Sequence, residues 1–446
     1  MKRYPVYKES SIPFVDEIPD TWKEIRIKNA FSTVSDKNHV NEQMLSVFLN
    51  QGVILYRRSG GEQVHKPSED LTNYQLVKVG DLVLNNQQAW RGSVGVSEYQ
   101  GIISPAYFVL RQRNNFYVKA YLNYLVRNKC IVNQFAMSSK GVGSIQRQIY
   151  EPYLRNVVLL LPPIEEQQQI VRYLDAQTSQ IDRAIRGYER LLELLEERKT
   201  AVINEAVTKG VRWGVAMKES GVDWLGEFPA HWKLSTVKQH FHIKKDIAGK
   251  DGYDVLSITQ SGIRKKNVAS NEGQLANDYS GYQFVNSGEF AMNHMDLLTG
   301  YIGLSPYFGV TSPDYRVFVL DDVEHCDAEY FLHVFQLGYK RRIFYKFGRG
   351  AASKGRWRLP ARAFLSYAIP LPPIEEQRDI VQYIDAQQRQ LDKAIVGIQR
   401  EMDLLRERRT RLIADVVTGQ IDVRDAVVPE TGEVCDDDDG HDGAGA

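Results

Sequence analysis

The chain has 446 residues, 43% of them hydrophobic, which is too long for one comfortable core and implies two or three domains. Its 56 basic and 56 acidic residues balance, yet Pro429 to Ala446 hold seven acids and no Lys or Arg, leaving the rest formally +7. Three distant cysteines (Cys130, Cys326, Cys435) argue against a disulfide framework or zinc module, and no apolar run reaches membrane-span length, so an intracellular soluble protein is expected.

Along the chain, the first elements are strand-like runs: VILYRR, YQLVKVGDLVLN and ISPAYFVLR, followed by a helical YVKAYLNYLVRN. The apolar VVLLL then meets Pro162 and Pro163, which end a strand and can start a helix. Glu165 and Glu166 fall in the first turn, where the helix dipole favours acids, so they read as helix-start or subunit-contact residues rather than a catalytic pair. A heptad then runs through Leu174, Ile181, Tyr188, Leu195 and Val202, with Ile185 and Leu192 as companions. Such a helix would run roughly 65 Å at 1.5 Å per residue. Strand-like YDVLSITQ, GYQFVNSGEF and YRVFVL come next, then a helical AEYFLHVFQLGYK. A second heptad runs through Ile384, Leu391, Ile398, Leu405 and Leu412, with Ile395 and Met402. The acidic tail has little to bury and reads as disordered.

These two halves are copies. Leu161 to Thr208 and Leu371 to Thr418 match at 27 of 48 positions, and KESSIPFVDEIPDTWK from Lys8 aligns with KESGVDWLGEFPAHWK from Lys218 at the same offset of 210. Inside each copy the likeness thins. VGDLVLNN from Val79 still pairs with SGEFAMNH from Ser287, whereas GVILYRRSGGEQVHKPSED shows no counterpart. The expected fold is mixed α/β: two globular heads separated by two long helices packed as an antiparallel coiled coil, with an internal pseudo-two-fold repeat. The helix pair would hold the heads a fixed distance apart.

Charge points to the ligand. Tyr99 to Tyr150 contains seven basic residues and no acid; Tyr330 to Ile374 contains nine and no acid. One such run is commonly a solvated face, here with Phe344, Phe347 and Trp357 in the core. Two at matching places, interleaved with aromatics, Gly and Ser, favour a phosphate backbone. Candidate DNA contacts are Asn85, Asn86, Gln87, Gln88, Arg91, Lys140 and Arg147 in the first head. In the second they are Asn293, His294, Lys340, Arg341, Arg342, Lys346, Arg349, Lys354, Arg356 and Arg358. No catalytic, cofactor or metal motif stands out. GRGAASKG from Gly348 is not a Walker A, because Lys354 precedes Gly355. His39, His65, His294 and His333 lack partners at useful spacing.

LPPIEEQ before a long helix, twice, with EIPxxW-like segments opening each half, resembles the specificity subunits of type I restriction–modification enzymes over almost the whole chain. The resemblance implies target-recognition domains at residues 1–160 and 211–370 and a central conserved helix with linker at 161–210. It places a distal conserved helix at 371–425, and the acidic tail of 426–446 departs from the compact ending expected. It implies a non-catalytic subunit that recognises a bipartite, asymmetric duplex, one half per head, with helix length setting the gap. Its partners would be double-stranded DNA, two methyltransferase subunits and restriction/translocase subunits, in a prokaryotic cytoplasm and not at a membrane. S-adenosylmethionine, ATP and Mg2+ would belong to those partners. The alternatives are a non-enzymatic coiled-coil scaffold or other nucleic-acid-binding protein, and a nuclease with an unrecognised site.

Overall fold

A computed structural model describes residues 2–49, 51–56, 68–142, 146–260, 262–267, 278–298, 300–350 and 357–428. The chain divides into two units, Met1–Gly187 with Glu401–Ala446, and Tyr188–Arg400. Two long helices, Ile164–Lys209 and Ile374–Val417, each contribute one half to either unit.

The first unit is built on a four-stranded antiparallel sheet in the order Phe31–Val34, Tyr107–Gln112, Leu82–Asn85, Val94–Val96. Helices Lys119–Val126 and Lys129–Met137 cover one face with Tyr121, Leu122, Leu125, Ile131 and Phe135, all buried. The same core takes in Ile170 and Leu174 from the start of the first long helix and Leu412, Val416 and Val417 from the end of the second. Burying those apolar side chains on the head's own core is what fastens the helix pair to it. The Tyr121 hydroxyl adds a hydrogen bond of 3.4 Å to the Val417 carbonyl.

The second unit repeats this plan. Its sheet runs Phe241–Lys244, Arg316–Leu320, Phe290–Met292, Ile302–Leu304, and helix Ala328–Lys340 packs on it. Its core takes in Ile380 and Ile384 from the start of the second long helix and Ile203, Ala206 and Val207 from the end of the first. Tyr330 donates to the Val207 carbonyl at 3.3 Å, as Tyr121 does to Val417. Within each unit the start of one long helix lies beside the end of the other, so the packing is antiparallel. Asp182 pairs with Arg409 at 3.1 Å in the first unit, and Lys199 with Asp392 at 2.8 Å in the second. The apolar seam residues are buried (Leu174, Ile181, Val202, Ile384, Met402, Leu412) or half-buried (Ile185, Tyr188, Leu192, Leu195, Leu391, Ile395, Ile398, Leu405).

The LPPIEEQ motif does more than begin a helix. Glu165 is exposed, but Glu166 is buried and accepts from the Trp22 indole at 2.9 Å and from the Tyr4 hydroxyl. Its repeat, Glu376, is buried against the His231 imidazole at 2.8 Å. The next residue is a clamp in both copies. Gln167 accepts from the Val118 N–H and donates to the Phe116 and Pro162 carbonyls. Gln377 accepts from the Asp327 N–H and donates to the His325 and Pro372 carbonyls. Both amides are fully buried, so each satisfies backbone groups that water cannot reach. The motif thus locks the long helix to the loop that enters the head's helix.

One segment without a visible counterpart has one in three dimensions. Strand Gly52–Leu55 pairs with Leu45–Phe48, and Gly262–Lys265 pairs with Leu256–Thr259 in the same place of the other unit. Both hairpins turn on a glycine with positive φ, 78° at Gly52 and 99° at Gly262, a conformation that side chains resist.

Candidate nucleic-acid interface

In each head a corner comes after the third strand of the sheet. Asn85 Oδ1 accepts from the Gln87 N–H at 2.9 Å, and Asn293 Oδ1 from the Met295 N–H at 3.2 Å, so both first asparagines fold the corner. The residue after each one ties the corner to a second loop. The Asn86 carbonyl accepts from Ile149 N–H at 3.0 Å, and the His294 carbonyl from Leu359 N–H at 2.9 Å. Asn86 Oδ1 and His294 Nδ1 are each buried without a protein hydrogen-bond partner among the described residues. Burial pushes the His294 imidazole down to about 4, helped by Arg316 and Arg358, so it is neutral near pH 7.

The tied loops differ. In the first head, strands Ser139–Val142 and Gln146–Ile149 form a hairpin with Lys140 opposite Gln148 and Gly141 opposite Arg147. The Lys140 ammonium lies 3.7 Å from the Tyr150 ring centroid and 5.0 Å from that of Tyr153. The Arg147 guanidinium lies 5.3 Å from the Trp90 ring centroid, and that of Arg91 lies 4.7 Å from it. The structure therefore brings Arg91 and Arg147 together with the corner of Asn85, Asn86, Gln87 and Gln88, and places Lys140 on the other face of the same hairpin. The two glutamines are exposed.

In the second head, Arg349 and Arg358 exchange backbone hydrogen bonds of 2.8 and 3.0 Å, which close the loop beside His294. Trp357 stacks on Tyr345 at 4.9 Å and donates to its carbonyl at 2.8 Å. Both arginines and Lys346 are exposed. Lys340 and Arg341 sit elsewhere, at the end of helix Ala328–Lys340, where Arg341 reaches Asn204 of the first long helix at 2.6 Å. Arg342 is exposed with φ 54°. Lys354 and Arg356 lie outside the described residues, as does the acidic tail from residue 429 on. Phe344 is a core residue, whereas Phe347 is 45% exposed and Trp357 half-buried.

Part of the basic excess serves the fold. Arg111 grips the buried Asp81 carboxylate with two bonds of 2.8 and 2.6 Å, and Arg113 donates to the Phe31 carbonyl at 3.0 Å. Sequence reading had no means to separate these from exposed cations; their buried or backbone partners are contributed by other strands. It also passed over His240, whose imidazole joins Ser235 at 2.7 Å to Asp322 at 2.9 Å, with Cys326 close by. The other Asp322 oxygen accepts from the His325 N–H at 3.2 Å and meets its ring at 2.8 Å. These hydrogen bonds account for the cluster as a brace on the loop entering helix Ala328–Lys340. Among the described residues, no helix is long and apolar enough to cross a membrane.

Comparison with known proteins agrees with this arrangement. The family model for the type I restriction modification DNA specificity domain matches twice, at residues 19–187 and 232–396. The MjaX type I restriction enzyme specificity subunit of Methanocaldococcus jannaschii is 24% identical over 94% of this chain and 98% of its own. The MjaVIII specificity subunit of the same organism is 23% identical, covering 94% and 97%. A chain solved in work on complex assembly and conformational transition of the type I R-M system shares the fold, with a TM-score of 0.63 at 16% identity, covering 91% of this chain and 99% of that one. With both matches of the family model together spanning most of its length, this chain belongs to the type I restriction–modification specificity subunits, the DNA-binding, non-catalytic components of those systems.

Proposed function

We propose that the chain reads a split, asymmetric duplex sequence, one half with each head, and that the length of the helix pair sets the gap between the halves. The target-recognition domains are residues 1–160 and 211–370, the central helix and linker 161–210, the distal helix 371–425, and 426–446 an acidic tail. The observation that carries this reading is a repeated frame holding two different corners: Asn86 beside Trp90 and Arg147 in one, His294 beside Arg349 and Arg358 in the other. Identical frames with unlike donor sets suit two unlike half-sites. Two methyltransferase subunits would methylate adenine N6 with S-adenosylmethionine, and restriction subunits would use ATP and Mg2+, in the cytoplasm of a prokaryote. This chain's part is to bind and orient DNA for them.

Footprinting the assembled complex tests the reading: two protected tracts separated by an open gap support it, and one continuous tract contradicts it. A four-residue insertion after Glu196 tests the spacing. It lengthens the helix by about 6 Å and rotates the downstream chain by roughly 40°. That length is close to two base-pair rises at about 3.4 Å each. Methylome sequencing of an active assembly should show unchanged half-sites with an altered gap; an unaltered gap contradicts the spacing mechanism.

A further inference from the structure

We propose that Trp90 is a positioning residue for DNA binding, whose indole gathers Arg91 and Arg147 into a pair that contacts the phosphate backbone beside the first head. This rests on the specificity reading above and adds a residue and a role to it.

The indole is itself fixed. Trp90 lies in the 3-10 turn Ala89–Arg91, its Nε1–H donates to the Gln87 carbonyl at 2.9 Å, and the turn closes on Gly92 at φ 103°. Arg91 comes from the same turn and Arg147 from the hairpin strand Gln146–Ile149, so one ring collects cations from two elements. The electron-rich ring attracts each guanidinium. A guanidinium held in this way matches two phosphate oxygens at once. Among the described residues Arg91 forms no ion pair with a carboxylate. Arg111 in the same head shows the contrasting case, an arginine committed to Asp81 at 2.6 Å. The hairpin is also held by Lys140 on Tyr150 and Tyr153, which keeps Arg147 in place over the indole. Register puts Lys140 and Arg147 on opposite faces of the hairpin, so the aromatic rings grip it from both sides. At the matching place the second head has Leu298, exposed and without a ring, so the device is particular to the first head.

The test uses the full chain with its methyltransferase partner and random-sequence duplex DNA, with affinity measured across a salt series. Trp90→Leu should weaken binding and lower the salt slope by about one to two, the loss of one or two phosphate contacts. Trp90→Tyr, which keeps a ring, should recover most of both. Arg91→Gln with Arg147→Gln should reproduce the loss, and adding Trp90→Leu to that pair should change little more. A wild-type slope in Trp90→Leu overturns the proposal. So does a further large loss on the arginine-free background, which would mean that the indole itself touches a base. Should Trp90→Leu fail to fold, an unchanged slope in the arginine double variant overturns it equally. An unaltered complex without affinity for duplex DNA would instead contradict the specificity reading beneath it.

Discussion

The two heads share a sheet order, a Gln clamp and a tyrosine bond to the opposite long helix, yet their corners are furnished differently. The first sets Trp90 and Arg91 in the corner and Arg147 on the neighbouring hairpin. The second has Leu298 in the corner and moves the aromatic pair, Tyr345 and Trp357, to the loop that carries Arg349 and Arg358. The backbone tie between corner and loop is the same in both. The sheet and the backbone tie are held fixed, and the loop and side chains they carry vary. Geometry is reused while chemistry is replaced, which is what the proposed reading of two unlike half-sites requires.

If the frame is equivalent in both heads, damage to it should be equivalent too. Gln167→Ala and Gln377→Ala each leave one backbone N–H and two carbonyls without their partner. Each should destabilise its own unit by about 3 kcal/mol or more. Hydrogen exchange should report the loss in the mutated unit and little change in the other. Unequal losses would break the equivalence of the two clamps.

The corners should differ where the frames do not. Arg349→Ala and Arg358→Ala in the second head should each weaken binding across sequences and reduce the salt slope by about one. Arg341→Ala should leave the slope unchanged, because that guanidinium is engaged with Asn204. Measuring Kd against salt for the three variants checks the assignment.

Smaller still is a difference in acid sensitivity. Burial holds His294 at about 4 and His333 also at about 4, below the ordinary histidine value, so the unfolded chain binds more protons between the two values. Stability of the second unit should be full above about 6.5 and fall as pH drops toward about 4. His294→Asn, which places there the residue type of position 86, should reduce that fall. Melting curves at several pH values check it, and an identical pH profile in the variant would show that His294 does not contribute.

How much of this was legible in the sequence depends on where each signal resides. Duplication, the two long helices and their seam were open to reading because they are local and periodic: a heptad needs no tertiary partner to be seen. Strands such as Tyr107–Gln112 and Arg316–Leu320 were visible for the same reason. The role of Glu166 was not, because Trp22 and Tyr4 lie about 140 residues or more away in sequence. The counterpart of Gly52–Leu55 was hidden because only its turn glycine is shared, although the common 210-residue offset to Gly262 was a usable clue. Basic runs were visible in the sequence, but not which of their cations the fold itself engages. Arg111 and Arg113 look like Arg147 in sequence and differ only in the groups that other strands place beside them.

The central claim is that each head reads its own half-site independently. The most direct measurement exchanges residues 211–370 for the matching head of another specificity subunit and sequences the methylated sites in cells that carry the methyltransferase partner. The account predicts that one half of the target changes while the other half stays as it was. Altered bases in both halves, from an assembly that still methylates, would contradict it.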